Sequence, residues 1–175
     1  DLFLLGGYGW YKAKNDLFNY DFTKQKWVKV NLKKNEMTPR AWFTFGKGFN
    51  EGEYLIYGGF GNDSGNQELG FKSNYDLLLL NMNDTTITKL KLPEQKFNYG
   101  MLFNDAYLDK EDSSFYFLSQ IEEGKGISIS LNKLDLRTGK VIPIGNKFWK
   151  RSANKWMYTY LHYNKATNEF ISVIF

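Results

Sequence analysis

The feature that most constrains the fold of this chain is an internal repeat of roughly 55 residues. Leu2 to Gly7 reads LFLLGG and Tyr54 to Gly59 reads YLIYGG, so an apolar strand that ends in a glycine pair recurs 52 residues later. A second apolar strand follows each copy, at Leu17 to Phe22 and at Asp76 to Met82, and a turn and a shorter strand come after it. A repeat of this length indicates a series of similar supersecondary units.

A third copy of the repeat is degenerate and a fourth is incomplete. In the third, Phe115 to Leu118 takes the place of the apolar strand, and Ser119-Gln120 stands where the glycine pair would be. The fourth begins at Trp156 to Tyr163 and continues into the strand Phe170 to Phe175. Each full copy predicts four short strands, and four strands per long repeat favour a β-propeller over a sandwich or a barrel.

The composition agrees with an all-β chain and excludes several functional classes. Aromatic residues make up 18% of the sequence and Gly contributes 16 residues, and aromatic side chains suit a pleated, half-buried surface. The chain has no cysteine, which excludes disulfides and thiolate nucleophiles. The lysines and arginines are scattered, whereas nucleic-acid binding normally needs a dense basic stripe. No apolar run is long enough to span a membrane.

The residues around the glycine pairs resemble those of the kelch repeat. Gly6-Gly7 is followed by a Tyr and a Trp that six residues separate, and a Pro-Arg pair comes before Gly58-Gly59. The second copy departs from this pattern, because it has Leu80 and Ile87 in place of the Tyr and the Trp. The resemblance gives structural roles to Gly6, Gly7, Tyr20, Trp27, Pro39, Arg40, Gly58 and Gly59. It implies that the glycine pairs end the second strand of each blade and that Trp27 is buried between blades.

The implied fold is all-β, a β-propeller of four-stranded antiparallel blades with about two complete and two partial blades in this chain. The predicted boundaries are a partial blade over 1–32, blades over 38–92 and 97–145, and a partial blade over 154–175. Propellers typically close with 4 to 8 blades. We therefore expect the remaining blades of the same protein, or the association of two or more chains, to complete the ring.

The sequence offers little catalytic chemistry. His162 is the sole histidine, and a transition-metal site is difficult to build from one His and no Cys. Copper oxidases related to galactose oxidase share this fold family, but their site needs a Cys-linked Tyr and two His. The loop from Gly61 to Glu68 is rich in oxygen ligands that suit calcium, although the same residue types are ordinary turn formers. We expect no catalytic residue, no metal and no cofactor in this chain.

The kelch resemblance implies that partners dock on one rim of the propeller. Its loops are Tyr8 to Asn15, Phe60 to Asn74, Gln120 to Gly126, Lys33 to Arg40, Pro93 to Asn98 and Gly145 to Lys155. The candidate partner-binding residues are Tyr8, Trp10, Tyr11, Phe60, Phe71, Lys147, Trp149 and Arg151. Aromatic side chains flanked by charges are typical of binding hot spots. The alternative is that these rings pack down onto the rim and close the blades.

Three functional hypotheses follow. The first is a non-catalytic scaffold that binds a protein partner through its rim loops. The second is recognition of a glycan or small ligand, as the sensory or surface part of a larger bacterial protein, with sugars stacked on Trp10, Tyr11 and Trp149. The third is an enzyme whose catalytic residues lie outside this segment. Abundant Asn and aromatic residues without Cys favour an extracytoplasmic location, and a cytoplasmic one stays open.

Overall fold

The computed structural model describes residues 2–93, 97, 99, 101–150 and 159–174, and within them the chain is all-β as predicted. Helical structure among these residues is limited to the 3₁₀ turn Gln67–Leu69. In the described residues, no helix is long and apolar enough to cross a membrane.

Short strands form the first half of the chain and longer ones the second. The short strands are β1 Phe3–Leu5, β2 Tyr8–Gly9, β3 Lys12–Ala13, β4 Leu17–Asp21, β5 Lys26–Lys29, β6 Lys34–Asn35, β7 Arg40–Ala41, β8 Thr44–Lys47, β9 Glu53–Tyr57, β10 Phe60–Gly61, β11 Lys72–Ser73, β12 Leu77–Asn81 and β13 Thr86–Lys89. The longer strands are β14 Met101–Asp109, β15 Ser114–Glu123, β16 Gly126–Asp135, β17 Val141–Lys150, β18 Thr159–Asn164 and β19 Glu169–Ile174.

Most of these strands belong to four antiparallel units. We call β1-β4-β5 the N-terminal sheet, β8-β9-β12-β13 the central meander, β14-β15-β16-β17 the C-terminal meander and β18-β19 the terminal hairpin. The two meanders are continuous, because Phe45 of β8 pairs in parallel with Asp105 of β14. On the far edge of the central meander, β6 pairs in parallel with β13.

The hydrogen-bonded unit is therefore a nine-stranded mixed sheet, in the order β17-β16-β15-β14-β8-β9-β12-β13-β6. This differs from the separate four-stranded antiparallel blades that the sequence predicts. The difference arises because the first strands of the two meanders lie side by side and share a bridge. In the described part of the chain, no sheet closes on itself.

The glycine pairs lie directly after β1 and β9 and have matching backbone conformations. The φ angles are 61° and 97° at Gly6-Gly7, and 70° and 95° at Gly58-Gly59. L-residues rarely adopt these values, whereas glycine does so without a steric penalty. A Cβ atom on Gly58 would also lie 2.5 Å from Cδ1 of Leu102. The pairs therefore turn the chain out of each strand at a point where neighbouring units pack closely.

Apolar layers between the units form the core. The first layer joins the N-terminal sheet to the central meander through Leu17, Ile56, Leu78, Leu80 and Ile87. A larger layer joins the two meanders and contains Leu55, Tyr57, Leu77, Phe115 and Phe117. A smaller layer of Leu118, Ile127 and Ile129 contacts Leu161 of the terminal hairpin. Each unit thus buries at least one face against its neighbour, which is the main source of stability in a layered β-protein.

Trp27 is not buried as predicted, because 44% of its surface is exposed. It lies on β5, directly opposite Tyr20 on β4, and the two rings are 5.3 Å apart in an edge-to-face arrangement. The face of the N-terminal sheet that carries both rings has no neighbouring unit in the described structure. Trp27 therefore packs within its own sheet and not between two units.

The segment expected to be the loop from Gln120 to Gly126 is mostly strand. β15 continues to Glu123 and β16 begins at Gly126, so Gly124-Lys125 alone connects them. The third copy of the repeat lacks the glycine pair, and without it the backbone does not turn out of the strand. Strand β17 likewise runs through Lys150, beyond the predicted boundary at residue 145, and pairs with β16 over the added length.

Candidate binding surface

A short hairpin of β2 and β3 projects beyond the end of β1. The two strands pair in antiparallel register, and Trp10 and Tyr11 form the two-residue tip. Their φ angles are 49° and 59°. Positive φ at both central residues is characteristic of a type I′ turn, which prefers Asn-Gly. A non-glycine residue in this conformation costs of order 1 kcal/mol or more, so the tip carries two aromatic residues at a position where Asn-Gly would be more stable.

Both side chains at this tip are exposed to solvent. Trp10 is 94% exposed and Tyr11 is 69% exposed, so packing within the chain compensates little of the backbone strain. The alternative that these rings pack down onto the rim does not hold for this pair. Strain that is retained without a packing benefit is typical of functional positions.

The hairpin is fastened to the loop that follows β10. The backbone N–H of Ala13 donates to the carbonyl of Gly65 at 2.8 Å, and the N–H of Gln67 donates to the carbonyl of Tyr11 at 3.0 Å. The Tyr8 hydroxyl donates to Oε1 of Gln67. Because these bonds lie on both strands, they orient the tip even though its side chains are free of the core.

The loop over 61–70 holds its own shape through side-chain hydrogen bonds. Nδ2 of Asn62 donates to the carbonyls of Asn66 and Gly70 at 2.8 and 2.9 Å, and the Ser64 hydroxyl donates to Oδ1 of Asn62 at 2.8 Å. Oδ1 of Asn66 accepts from the backbone N–H of Glu68. In these bonds Asn62, Ser64 and Asn66 act as turn formers, the ordinary role of these residue types. Among the described residues, no group of three or more His, Cys, Asp or Glu side chains converges as a metal site.

Three of the predicted residues come together around Trp42. The Tyr8 ring lies 5.9 Å from Trp42 and 6.0 Å from Phe71, and Trp42 lies 6.5 Å from Phe60. We define the aromatic rim as Tyr8, Trp10, Tyr11, Trp42, Phe60 and Phe71. Sequence reasoning missed Trp42. The available signal was its position directly after the Pro39-Arg40-Ala41 segment, where the chain enters the rim.

A buried ion pair lies beneath this rim. The Arg40 side chain is fully buried, and it donates to the two carboxylate oxygens of Asp76 at 2.5 and 3.1 Å. It also donates to the carbonyl of Gly58 at 3.0 Å, and to the carbonyl and hydroxyl oxygens of Thr38 at 3.1 and 2.6 Å. These five contacts match the donor capacity of a guanidinium group. The carbonyl of Arg40 accepts from the N–H of Gly7, so one residue connects the bases of both rim loops.

Tyr99 fastens the other side of the same loop. Its hydroxyl donates to the carbonyl of Asn74 at 2.5 Å, and its ring lies 5.7 Å from Phe60. Burial raises the pKa of Tyr99 above its usual range, and the protonated phenol serves as a hydrogen-bond donor here. The aromatic rim therefore rests on a rigid base.

The remaining predicted residues do not join the aromatic rim. Lys147 and Trp149 lie in strand β17 and not in a loop. Trp149 packs against the cluster of Leu118, Ile127 and Ile129, so it contributes to the core of its own unit. Arg151 lies outside the described residues.

A large open cavity lies at the opposite end of the strands. It has a volume of about 990 Å³, and both basic and acidic side chains line it, including Lys47, Glu53, Asp109 and Lys165. The mixture of charges gives it no preference for a ligand of one sign. It contains no residue of the aromatic rim, so the two features are independent.

No family model matches this chain, and no curated protein matches it.

Proposed function

We propose that this chain is an arc of a kelch-like β-propeller that acts as a non-catalytic scaffold, and that it binds a protein partner through the aromatic rim. The observation that carries the binding proposal is the strained, solvent-exposed Trp10-Tyr11 tip. Trp and Tyr are enriched among residues that dominate protein–protein binding energy. A rigid scaffold that presents such residues on loops is a common arrangement of binding sites.

The propeller part of the proposal draws support from the relation between the units. The central and C-terminal meanders each have four antiparallel strands in sequence order, and their first strands run parallel to each other. The matching φ angles at Gly6-Gly7 and Gly58-Gly59 support equivalent positions in the N-terminal sheet and the central meander. Radial repetition of four-stranded sheets is the arrangement of propeller blades.

The experiment compares the parent protein with the double variant Trp10→Asn/Tyr11→Gly. This change removes both rings and installs the residue pair that a type I′ turn prefers, so loss of binding is separated from loss of folding. The parent and the variant are each immobilised and exposed to an extract of the cells that naturally make this protein. Quantitative mass spectrometry then identifies the proteins that the parent retains and the variant does not. Each is then purified and titrated against both proteins by calorimetry.

We expect the double variant to bind the purified partner at least about tenfold more weakly than the parent. Lys24→Ala, at a turn on the opposite end of the strands, is the control and should leave the affinity unchanged. Equal affinity of the parent and a folded double variant would contradict the rim as the binding surface.

The alternative of glycan recognition is favoured by the nearly complete exposure of the Trp10 ring, since a sugar can stack on an open aromatic face. A glycan array probed with the same two proteins distinguishes the two classes. Binding of the parent to a defined glycan, lost in the double variant and without any protein partner, would replace the protein-binding proposal.

A further inference from the structure

The N-terminal sheet has one buried face and one exposed face. Phe3, Leu5 and Leu17 pack into the layer shared with the central meander. The strand register puts Leu4 opposite Phe18, and Tyr20 opposite Trp27, on the other face. We call this the leading face and define it as Leu2, Leu4, Phe18, Tyr20 and Trp27. Leu4 is 50% exposed, and exposed apolar side chains grouped on one face are typical of interaction sites.

The equivalent face of the central meander is buried. Alignment of the glycine pairs matches Leu4 with Ile56, and the 60-residue offset of the later strands matches Trp27 with Ile87. Ile56 and Ile87 are fully buried, because they lie against the opposite face of the N-terminal sheet. The same positions are thus core in one copy of the repeat and exposed in the other.

The other end of the molecule has the converse surface. Tyr163 and Phe170 of the terminal hairpin pack on the C-terminal meander, with ring distances of 4.4 Å to Tyr107 and 4.8 Å to Tyr116. The opposite face is exposed. We call it the trailing face and define it as Ile171 and Val173.

The repeat also shows what the positions equivalent to the trailing face contact elsewhere in the chain. Gly52 and Asn168 both have a positive φ in the turn before β9 and β19, respectively. Aligning these two turns matches Ile171 with Leu55, and Val173 with Tyr57. Leu55 and Tyr57 are buried in the layer between the two meanders. Within this chain, the trailing face of one unit therefore packs on the leading face of the next unit.

We propose that the leading face of one copy of this chain binds the trailing face of a second copy, in a head-to-tail association. Within the described residues, each copy has an exposed surface of each kind, and its internal layers already join these two kinds of surface. Such an interface is heterologous, so it generates a closed ring or an open series according to the angle between copies. The inference does not depend on the aromatic rim or on its ligand.

The test measures the mass of the 175-residue chain by light scattering and sedimentation equilibrium over a wide range of concentrations. The parent should associate as its concentration increases. A leading-face variant, Leu4→Lys/Trp27→Lys, and a trailing-face variant, Ile171→Lys/Val173→Lys, should each be monomeric. All four positions are exposed, and thermal melting checks that each variant folds.

Mixing the two variants is the decisive measurement. Each variant retains the face that the other has lost, so an equimolar mixture should form a one-to-one dimer that cannot grow further. Both substituted faces carry lysines, and charge attraction between them cannot produce this dimer. Leu69→Lys, an exposed apolar position outside both faces, is the matched control and should associate like the parent.

Three outcomes would overturn the proposal. They are a parent that stays monomeric at every concentration, a single variant that associates like the parent, and a mixture that contains monomers alone. If charged variants unfold, Trp27→Ala provides the second measurement. It should weaken the association of the folded chain by at least about tenfold, and unchanged association would count against the leading face.

Discussion

The two ends of the strands follow different structural rules. In the described part of the chain, five turns at the end opposite the aromatic rim share one design, over 21–25, 81–85, 109–113, 135–139 and 164–168. Each begins with an Asp or Asn whose Oδ1 accepts a hydrogen bond from the backbone N–H two residues later. Each ends on a residue with φ between 50° and 70°. We call this set the turn rim.

The aromatic rim has no such repetition. Its loops differ in length and sequence, its tip has strained φ angles at Trp10 and Tyr11, and its largest rings are exposed. The turn rim satisfies its own backbone with short side chains, as Asx turns do. The comparison indicates that the turn rim serves stability, whereas the aromatic rim gives up some stability to present side chains.

The largest effect is expected at the base of the aromatic rim. Arg40→Met should lower the free energy of unfolding by about 3–5 kcal/mol, because it leaves the Asp76 carboxylate without its charged partner. Chemical denaturation measures the change. Lys133→Met, which removes a partly exposed ion pair with Asp112 of the turn rim, is the matched control and should have a much smaller effect.

A second comparison uses Arg40→Met/Asp76→Leu, which removes both charges. This double variant should regain part of the lost stability, since no unpaired charge remains. If Arg40→Met alone unfolds at the same denaturant concentration as the parent, the ion pair is not the base of the aromatic rim.

The next effect has the opposite sign. Trp10→Asn/Tyr11→Gly should raise the free energy of unfolding by about 1–2 kcal/mol, because it relieves left-handed strain at two positions. Thermal melting and chemical denaturation measure the gain. A loss of stability would mean that the two rings contribute to packing, and the distinction between the two rims would then fail.

A smaller loss is expected on the turn rim. Oδ1 of Asn81 accepts from the backbone N–H groups of Asn83 and Asp84 at 2.9 and 3.1 Å. Asn81→Ala should therefore cost about 1 kcal/mol. Asp84→Ala is the control in the same turn, because Asp84 contributes its backbone N–H and carbonyl to these bonds. Equal effects of the two substitutions would remove the role assigned to the Asn81 side chain.

Local signals predicted much of the central meander. The strands expected over Tyr54 to Gly59 and Asp76 to Met82 correspond to β9 and β12 within a few residues, because glycine pairs and apolar runs act over short distances. The extension of β15 past Ser119 was missed, although the absence of Gly and Pro before Gly124 was the available signal. A strand ends where residues such as a glycine pair interrupt it, and the third copy of the repeat has no glycine pair.

Contacts between distant segments were not predictable in the same way. The bridge between Phe45 and Asp105 joins residues 60 positions apart, and no local pattern encodes it. The Tyr8–Trp42 contact of the aromatic rim is another such case. Trp149 was expected on the rim because it is flanked by lysines, but the pairing of β17 with β16 directs it towards Ile127 and Ile129. Side-chain chemistry located aromatic residues on the rim only where the loop assignment was right.

The smallest effect separates the two rims by their pH dependence. Hydrogen bonds donated by the backbone N–H groups of Lys24 and Arg137 lower the pKa of Asp21 and of Asp135, respectively. Each carboxyl group therefore binds its proton less readily in the folded chain than in the unfolded one, where the pKa is about 3.9. The stabilisation is fully present above that value and is lost as the pH falls through the lower pKa of the folded state.

Asp21→Asn/Asp135→Asn should flatten this dependence. The amide oxygen of Asn still accepts the hydrogen bond from the backbone, as in the turns that begin at Asn81 and Asn164. The amide group does not titrate in this pH range. Thermal melting between about pH 5 and pH 2 should show a shallower fall for this variant than for the parent. Trp10→Asn/Tyr11→Gly changes no charge, so its melting temperature should fall with pH as steeply as that of the parent. If the melting temperature falls equally with pH in all three proteins, Asp21 and Asp135 contribute nothing to acid sensitivity. The hydrogen bonds of the turn rim would then act through geometry alone.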